Sequence, residues 1–338
     1  MKGYTDEKAL LILIALLKKH QIMNVVISPG TTNVSLVASL QSDSYFNLYS
    51  AADERSAAYI ACGLAVETNQ PVMLSCTGAT ASRNYIPALT EAFYRNIPVL
   101  VVTTMRHWAS IGQNIPQVID RRSQLNDMVR KSVQIPLVVS KEDEWGATVK
   151  INEALLELSH LGGGPVHINF ATNAKVSFGT SELPSVNKIS RIVSSQDKPV
   201  LPDGKIAVFV GAHIPFSSHL TDVVDSFCKT NNAIVLCDQT SNYRGKYRVL
   251  ANILAWQDQY KSPELDMDLL IQIGSISGSY MKVRPKQVWK VSPRGEIQDT
   301  FKKLTCVFEM TEEIFFEQYI SNDNTEKTDY YDRINNEI

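Results

Sequence analysis

Short apolar runs rich in β-branched residues alternate with helical patterns through the first half of the chain. The runs predict strands at "NVVISPG", "FNLYSA", "PVMLSC", "IPVLVVTT", "IPLVVS" and "GPVHINF". The stretches between them predict helices near 6–20, 33–41, 81–95 and 143–160, and one more that opens with "DERSAAYIACGLA". Strands of this kind separated by helices indicate a parallel sheet covered on both faces.

The alternation lapses and then resumes. Residues 179–204 are rich in Ser and Pro without a clear period, which predicts a linker. Residues 205–320 show strand patterns again at "KIAVFVGA", "AIVLCDQ", "MDLLIQIGS" and "QVWKVS". The polar segment 321–338 predicts a tail or a further linker. The predicted fold class is therefore α/β, with two doubly wound, mainly parallel-sheet domains at 1–178 and 205–320.

Composition narrows the class of protein. Of 338 residues, 44% are hydrophobic and 20% are charged, and the formal net charge is -2. This balance argues against nucleic acid held on a basic surface. The apolar run at 9–17 is too short to span a bilayer, so no membrane association is expected. Five cysteines without metal-type or paired spacing predict reduced thiols in a cytoplasmic protein.

Glu54 begins a predicted helix in which most of the following side chains are small. Ala57, Ala61 and Ala65 follow it at helical spacing. Acidic residues are common in first turns because they complement the helix dipole, and this explanation requires no chemistry. The alternative is functional, because a helix of small residues can approach a ligand ring or another helix closely.

The predicted strands end in "SPGTTN", "CTGATA" and "TTMRHW", at the edge of the sheet where ligands bind in open α/β folds. Gly78 would let the backbone approach a ligand. Taken alone this signal is weak, and no Gly-Lys-Ser/Thr follows to make a P-loop. In the second domain, "VFVGAHIP" lacks the three-glycine turn of a dinucleotide site. No histidine pair has metal-ligand spacing, so no metal ligands are predicted.

Four ordered motifs carry a family resemblance: "SPGTTNVSLV", "DERSAAYIACGLA", "CTGATASRNYIPALTEAFYRNIPVLVVTT" and "GPVHIN". Together they resemble the pyrimidine-binding (Pyr) domain of thiamine-diphosphate-dependent enzymes. The similarity is greatest to the menaquinone-pathway 2-succinyl-5-enolpyruvyl-6-hydroxy-3-cyclohexene-1-carboxylate synthase. It continues through the central domain, where "DLLIQIGSISGSYMKVRPKQVWKVSPRGEIQD" is similar to the corresponding strands of that family.

The resemblance implies a decarboxylase or carboligase acting on a 2-oxo acid, with thiamine diphosphate as cofactor. In this family a glutamate at the matching helix start hydrogen-bonds N1′ of the cofactor's aminopyrimidine, which promotes loss of the thiazolium C2 proton. Glu54 takes that catalytic position here. The same comparison assigns Pro29, Gly30, Thr77 and Gly78 to the cofactor.

Departures from the family concern the substrate. Thr32 replaces the arginine of the family's "PGSR" turn, and Ser279 and Tyr280 replace a Lys-Arg pair, with Lys282 and Arg284 nearby but shifted. Arg106 and Gln117 match, so the substrate-binding residues implied are Thr32, Arg106 and Gln117. Loss of fixed guanidinium groups removes bidentate carboxylate recognition, which predicts a less anionic acceptor.

The family's diphosphate-binding (PP) domain carries Gly-Asp-Gly and a downstream Asn, which hold Mg²⁺ and the diphosphate. These 338 residues contain no Gly-Asp-Gly, so the PP domain is predicted to be absent. Thiamine diphosphate and Mg²⁺ are then expected only with a PP domain from another chain or a missing segment. A homodimer is expected, with the small-residue helix in the chain contact. The alternative is a non-catalytic Pyr–central binding or oligomerisation module.

Overall fold

The computed structural model describes residues 3–78, 80–173, 176–193, 198–257, 259–275, 282–320 and 329–338. The chain divides into two compact units, residues 1–188 and 189–338. The division falls inside the segment 179–204 that the sequence predicts to be a linker. Among the described residues, no helix is both long enough and apolar enough to cross a membrane.

The first unit is built on a sheet of six parallel strands in the order β2-β1-β3-β4-β6-β5. Its strands are β1 Asn24–Ile27, β2 Asn47–Ser50, β3 Val72–Thr77, β4 Val99–Met105, β5 Lys131–Ile135 and β6 Val166–Ala171. Its α-helices are α1 Lys8–Lys19, α2 Val34–Gln41, α3 Glu54–Thr68, α4 Ile86–Tyr94 and α5 Lys141–Leu156. A 3₁₀ turn over Thr80–Tyr85 leads directly into α4.

Two hydrophobic cores flank this sheet, one on each face. Alternate residues of a strand enter opposite cores, as β1 shows: Val25 and Ile27 join the core with α1, α2 and α5, and Val26 joins the core with α3 and α4. This alternation follows from the two-residue period of a strand. The predicted doubly wound parallel sheet is confirmed.

The small residues of α3 lie inside this unit. Ala57, Ala61 and Ala65 are at most 2% exposed and pack with strands β1, β3 and β4 and with helix α4. The stripe therefore packs against the sheet of its own chain, because a helix lying close against a sheet also selects small residues, and the expectation that α3 lies in or near a chain contact stays a prediction. The outward face of α3 carries Tyr59, Ile60 and Val66 instead.

One strand of the first unit is displaced from its predicted place. The sequence pattern favoured "IPLVVS" at 135–140, whereas β5 covers Lys131–Ile135 and ends where that run begins. Pro136 explains the difference, because proline has no N–H for the strand ladder. β5 is the edge strand, so its polar positions Lys131 and Gln134 are tolerated.

The second unit is built on seven parallel strands in the order β10-β9-β8-β11-β12-β13-β7. Its strands are β7 Ser190–Val193, β8 Ile206–Val210, β9 Ala233–Cys237, β10 Arg248–Val249, β11 Asp266–Ile273, β12 Arg284–Val291 and β13 Leu304–Glu309. Its α-helices are α6 Ser218–Asn231, α7 Asn252–Ala255, α8 Glu312–Glu317 and α9 Asp329–Glu337. The second predicted parallel sheet is also confirmed.

Both polar segments contain regular structure that the sequence analysis did not anticipate. Within 179–204, residues 190–193 form the edge strand β7, which pairs with β13. Within 321–338, residues 329–337 form α9 rather than a tail. The physical reason is that Tyr330 and Ile334, one turn apart, are fully buried, and the Tyr330 hydroxyl donates to the Glu264 carbonyl. Two apolar residues in a polar stretch are a weak signal in sequence.

A buried polar row crosses β4, β6 and β5 of the first unit. The His167 ring lies between the hydroxyl oxygens of Thr103 and Ser132, at 2.8 and 3.0 Å. The Thr103 hydroxyl donates to Asn169 Oδ1, so His167 Nε2 fits best as the donor to Thr103. Burial, with a smaller contribution from nearby arginine charge, lowers the pKa of His167 to about 3. His167 is therefore a neutral structural histidine at physiological pH.

The lowered pKa of His167 predicts that stability depends on pH. Below about pH 6.5 His167 is protonated in the unfolded chain and stays neutral in the folded protein. The free energy of unfolding therefore falls by up to about 1.4 kcal/mol per pH unit as the pH is lowered. Substitution His167→Gln should therefore flatten the acid side of the stability curve, removing about 2 kcal/mol of the change between pH 7.5 and pH 5. Denaturant unfolding of both proteins across this range measures the slope.

The matched control is His219→Gln, because His219 is a largely exposed histidine of the second unit. It should leave the slope unchanged. Identical slopes for wild type and His167→Gln would show that His167 does not carry this dependence.

Candidate active site at the carboxyl edge of the first sheet

The first sheet has a topological switch point between β1 and β3. From β1 the chain proceeds outward to β2, and then returns to place β3 on the other side of β1. Because all the strands are parallel, the loops that follow β1, β2, β3 and β4 leave from one edge. Open α/β sheets bind ligands in the crevice at this point. Pro29, Gly30 and Thr32 follow β1, Glu54 follows β2, and Gly78 follows β3.

Three threonine hydroxyls join the loop after β1 to the carboxyl ends of β3 and β4. Thr32 Oγ1 lies 2.8 Å from Thr77 Oγ1 and 3.0 Å from the Thr104 carbonyl oxygen. It also accepts from Thr104 Oγ1 at 3.0 Å and from the Gly78 amide at 3.3 Å. A hydroxyl has one proton to donate and two lone pairs, so these contacts saturate it. The role visible for Thr32 is to hold the loops together.

Two glycines allow these loops to pack so closely. A Cβ atom on Gly78 would lie 2.0 Å from the Thr104 carbonyl oxygen and 2.7 Å from Arg121 Nη1. A Cβ atom on Gly30 would lie 2.7 Å from Thr77 Cβ and Oγ1. Both glycines are therefore required by close approach within the protein, and they bring Thr32 and Thr77 together.

Glu54 is the first residue of α3, after the N-cap Asp53, whose side chain accepts from the Ser56 amide at 2.7 Å. Its side chain is partly buried. Within the described part of the chain, the Glu54 carboxylate makes no hydrogen bond and no ion pair. A carboxylate set in a partly dry place without a partner has its acceptor capacity available to a ligand.

The wall beside Glu54 is closed by Cys76 and Tyr85, both 0% exposed. Burial raises the pKa of the Cys76 thiol to about 12, and the charge of Glu54 adds a smaller upward contribution. Burial likewise holds the pKa of Tyr85 well above its ordinary value, again with Glu54 contributing. Both groups are therefore neutral at physiological pH.

Two buried hydroxyls behind this wall lack strong partners. Ser28 Oγ and Tyr85 Oη have no hydrogen-bond partner of normal geometry among the described residues. Buried polar atoms of this kind are uncommon and need an explanation. Tyr85 nevertheless lies against Ser28 and Cys76, so these buried groups act on one another behind the site.

Arg121 is a component of the site that the sequence analysis missed. It is 2% exposed, and its Nε donates to Ser82 Oγ at 2.9 Å, which ties the segment after β4 to the 3₁₀ turn after β3. Burial lowers the pKa of its guanidinium to about 10, so it remains charged at neutral pH. The sequence offered no signal, because Arg121 lies in a polar loop next to the exposed Arg122.

The other residues assigned to the substrate are less closely tied to this cluster. Arg106 follows β4 at the same edge of the sheet, and it is exposed. Gln117 is exposed in the long loop after β4, with a φ of 62°. Among the described residues neither makes a hydrogen bond or an ion pair, so the structure does not gather them around Thr32.

The central-domain positions are only partly visible. Ser279 and Tyr280 lie outside the described residues. Arg284 pairs with Asp266, and its Nη2 donates to the Ser262 carbonyl at 2.7 Å. Lys282 lies 5.1 Å from the Trp256 ring centroid.

The amino-acid sequence of this chain is similar to those of known thiamine-diphosphate-dependent enzymes. Residues 8–125 match the family described as thiamine pyrophosphate enzyme, N-terminal TPP binding domain. The resemblance to thiamine-diphosphate-dependent enzymes is thereby confirmed. The chain is 30% identical to a 2-succinyl-5-enolpyruvyl-6-hydroxy-3-cyclohexene-1-carboxylate synthase of Bacteroides thetaiotaomicron, over 93% of this chain and 60% of that protein. It is 31% identical to the enzyme of the same name from Bacteroides fragilis, with the same coverage.

This chain spans about 60% of the length of these relatives. A solved structure of benzoylformate decarboxylase from Polynucleobacter necessarius is 16% identical, with a TM-score of 0.44, and the match covers 95% of this chain and 63% of that one. In the described segments, no group of three or more His, Cys, Asp or Glu side chains is placed to hold a metal ion.

The close packing at Gly78 can be tested by substitution. Gly78→Ala should destabilise the first unit by about 1–3 kcal/mol, because the added methyl group overlaps backbone oxygen that cannot move freely. Gly146→Ala is the matched control, since nothing lies within 4 Å of a Cβ atom at this position inside α5. It should stabilise by about 0.5–1 kcal/mol. Equal effects of the two substitutions in denaturant unfolding would contradict the packing described here.

Proposed function

We propose that residues 1–188 bind the aminopyrimidine ring of thiamine diphosphate in a 2-oxo acid decarboxylase or carboligase. The observation that carries the proposal is the partly buried, unpartnered carboxylate of Glu54 beside a sheet's switch point. When bound, thiamine diphosphate supplies an electron sink for decarboxylation. The chain's contribution is to hold and exchange a proton at that carboxylate.

The surroundings of Glu54 fit a heterocycle with one basic nitrogen. Its neighbours Cys76 and Tyr85 are neutral because burial raises their pKa values, so they bring no second charge to the carboxylate. A carboxylate in a place of reduced polarity makes a stronger hydrogen bond to a ring nitrogen than it would in water. Pro29, Gly30, Thr77 and Gly78 form the adjoining loops, and their main chain is the part that lies next to the ring.

The diphosphate group of the cofactor requires a binding site outside residues 1–188. A diphosphate bound with Mg²⁺ needs hard oxygen ligands. We assign Mg²⁺ and the diphosphate to a PP domain, from another chain or from sequence beyond these 338 residues. Such a partner would complete the site from the side opposite Glu54.

The substrate proposed is a 2-oxo acid with an acceptor less anionic than that of the menaquinone-pathway synthase. Thr32 carries no charge, and its hydroxyl is saturated by contacts within the protein. Arg284 is engaged by Asp266 and Ser262. Arg106 keeps its guanidinium exposed and is the residue we assign to a substrate carboxylate.

Substitution Glu54→Gln tests the proposed function directly. It keeps the shape of the side chain and removes the charge, so turnover of the 2-oxo acid should fall by about 10²–10⁴-fold. The assay uses the chain together with the PP domain that completes the site, at saturating thiamine diphosphate and Mg²⁺.

Glu182→Gln is the control, because Glu182 lies exposed in the same unit, outside α3 and its outward face. It should leave turnover unchanged. Wild-type turnover in Glu54→Gln would show that the carboxylate does not have the assigned role.

We also propose that the first unit associates with a second copy of the chain through the outward face of α3. Tyr59, Ile60 and Val66 are 41%, 47% and 54% exposed on this face, and nothing lies within 4 Å of a Cβ atom at Gly63 between them. Exposed apolar side chains on one helix face, around a glycine that permits close approach, suit helix-to-helix contact between copies.

Ile60→Glu should therefore weaken self-association, because it places a charge at the centre of an apolar contact. Sedimentation of the wild type should show a dimer, whose interface is expected to bury more than about 1,000 Å². Val139→Glu is the control, at a position that is 80% exposed elsewhere in the unit. A dimer that both variants retain equally, or a monomeric wild type at micromolar concentration, would contradict the assignment.

A further inference from the structure

The seven-stranded sheet of the second unit has its own switch point, and an unusual row of side chains lies beside it. The chain leaves β8 toward β9 and returns to place β11 on the other side of β8. Phe209, Gln272 and Lys290 are lateral neighbours on β8, β11 and β12. A strand covered on both faces is ordinarily apolar, so Gln272 and Lys290 side by side depart from the pattern.

The departure is confined to the carboxyl edge of the sheet. The row two residues earlier on the same face consists of Ala207, Leu270 and Val288, all 0% exposed. The opposite face of the same strands belongs to the hydrophobic core. Between the two ends of the strands this face is therefore apolar, and Gln272 and Lys290 enter it at the carboxyl edge, where α/β sheets bind ligands.

A cleft lies over this row. Its volume is about 1280 Å³, which is large enough for a small organic molecule. The loops after β8, β11 and β12 form its rim, with Gly274 at a φ of 75° and an antiparallel bridge between Ala212 and Ser275. The bridge fixes Ala212 after β8 and Ser275 after β11 against each other at the rim.

Lys290 is the central group of the floor. It is 4% exposed, and burial lowers the pKa of its ammonium group. Among the described residues, its Nζ has one hydrogen-bond partner, the side-chain oxygen of the exposed Gln298, and no ion-pair partner within 4 Å. An ammonium group has three protons to donate. A buried cation without a directly bonded counter-charge is unfavourable, so an anion at this position would stabilise it.

Gln272 is a second buried polar side chain with an atom that lacks a hydrogen-bond partner. It is 6% exposed, and its Oε1 has no hydrogen-bond partner among the described residues. Its Nε2 lies 3.4 Å from Thr300 Oγ1. Exchanging the amide nitrogen and oxygen would satisfy one group and leave the other without a partner, so the deficit does not depend on the amide orientation.

The Glu296 carboxylate is the cleft charge that acts on Lys290: it partly offsets the lowering of the Lys290 pKa by burial, but among the described residues no carboxylate lies within hydrogen-bonding distance of Lys290 Nζ. His213 Nε2 pairs with Glu312 at 2.9 Å, and this contact raises the pKa of His213. Glu296 accepts from Ser292, and Arg294 at the rim opposes its charge. Lys290 is therefore a buried ammonium group without a directly bonded counter-charge among the described residues, and an anion on its Nζ would supply one.

We propose that this cleft binds a small organic anion, with a carboxylate or phosphate group on Lys290 and its polar remainder against Gln272. Charge-assisted hydrogen bonds from an ammonium group suit both kinds of anion. The cleft belongs entirely to residues 209–312, and the proposal does not depend on the function assigned to Glu54.

The test titrates the chain with sodium malonate and, separately, with sodium phosphate, with sodium chloride at matched ionic strength as the salt control. The thermal transition is recorded for wild type, Lys290→Met and Lys290→Gln. At ten times the dissociation constant, mass action should raise the wild-type transition of a unit of this size by about 3–6 °C. Both variants should weaken binding about tenfold or more. A higher transition temperature with malonate would identify the anion as a carboxylate, and a higher transition temperature with phosphate would identify it as a phosphate.

The matched control is Lys286→Met, which removes a lysine from the same strand outside the cleft, where it pairs with Asp268. It should keep the wild-type response. The proposal is overturned if neither anion raises the wild-type transition above the chloride control at about 50 mM. It is also overturned if either folded Lys290 variant responds as the wild type does. Because Lys290→Gln keeps a polar side chain, this variant is used for the test if Lys290→Met does not fold.

Discussion

Parallel strand pairing is the constraint on which both units depend. Every pairing in the two sheets is parallel, so each connection must cross from one end of the sheet to the other, and all the loops that follow strands gather at one edge. Where the strand order reverses, two such loops diverge and leave a crevice. Both candidate sites lie at such reversals, one beside β1 and β3 and the other beside β8 and β11.

At the first reversal, hydrogen bonds and close packing turn an open edge into a defined site. The hydroxyls of Thr32, Thr77 and Thr104 tie the loop after β1 to the carboxyl ends of β3 and β4, and Gly78 permits their approach. Because these groups satisfy one another, Glu54 is left as the carboxylate with free acceptor capacity. This is the arrangement expected of a site in which most side chains position a single reactive group.

The sequence predicted the architecture well because parallel sheets have a strong signature. Buried strands read as continuous apolar runs, and helices between them restore the 3.6-residue period. It also predicted that Glu54 begins a helix after a strand at the ligand-binding edge. The resemblance to a known family supplied the chemical role that we propose for that carboxylate, which residue spacing alone left open.

Other features depend on tertiary contacts that no local pattern encodes. The stripe Ala57, Ala61 and Ala65 shows close packing, but the sequence does not say whether the neighbour is a sheet of the same chain or another chain. Arg121 is a buried guanidinium within a polar loop, and its burial depends on Gly78 and Ser82, about forty residues earlier. Helix α9 exists because Tyr330 and Ile334 find a place in the second unit. In each case the partner is distant in sequence.

The central claim is that the carboxyl edge of the first sheet receives an aminopyrimidine ring on Glu54. The most direct measurement is a crystal structure of the chain completed by its PP domain, with thiamine diphosphate and Mg²⁺ bound. The account predicts a carboxylate oxygen of Glu54 within about 2.6–3.2 Å of the ring nitrogen N1′. A ring bound away from this edge, or a Glu54 side chain turned from N1′ toward solvent, would contradict it.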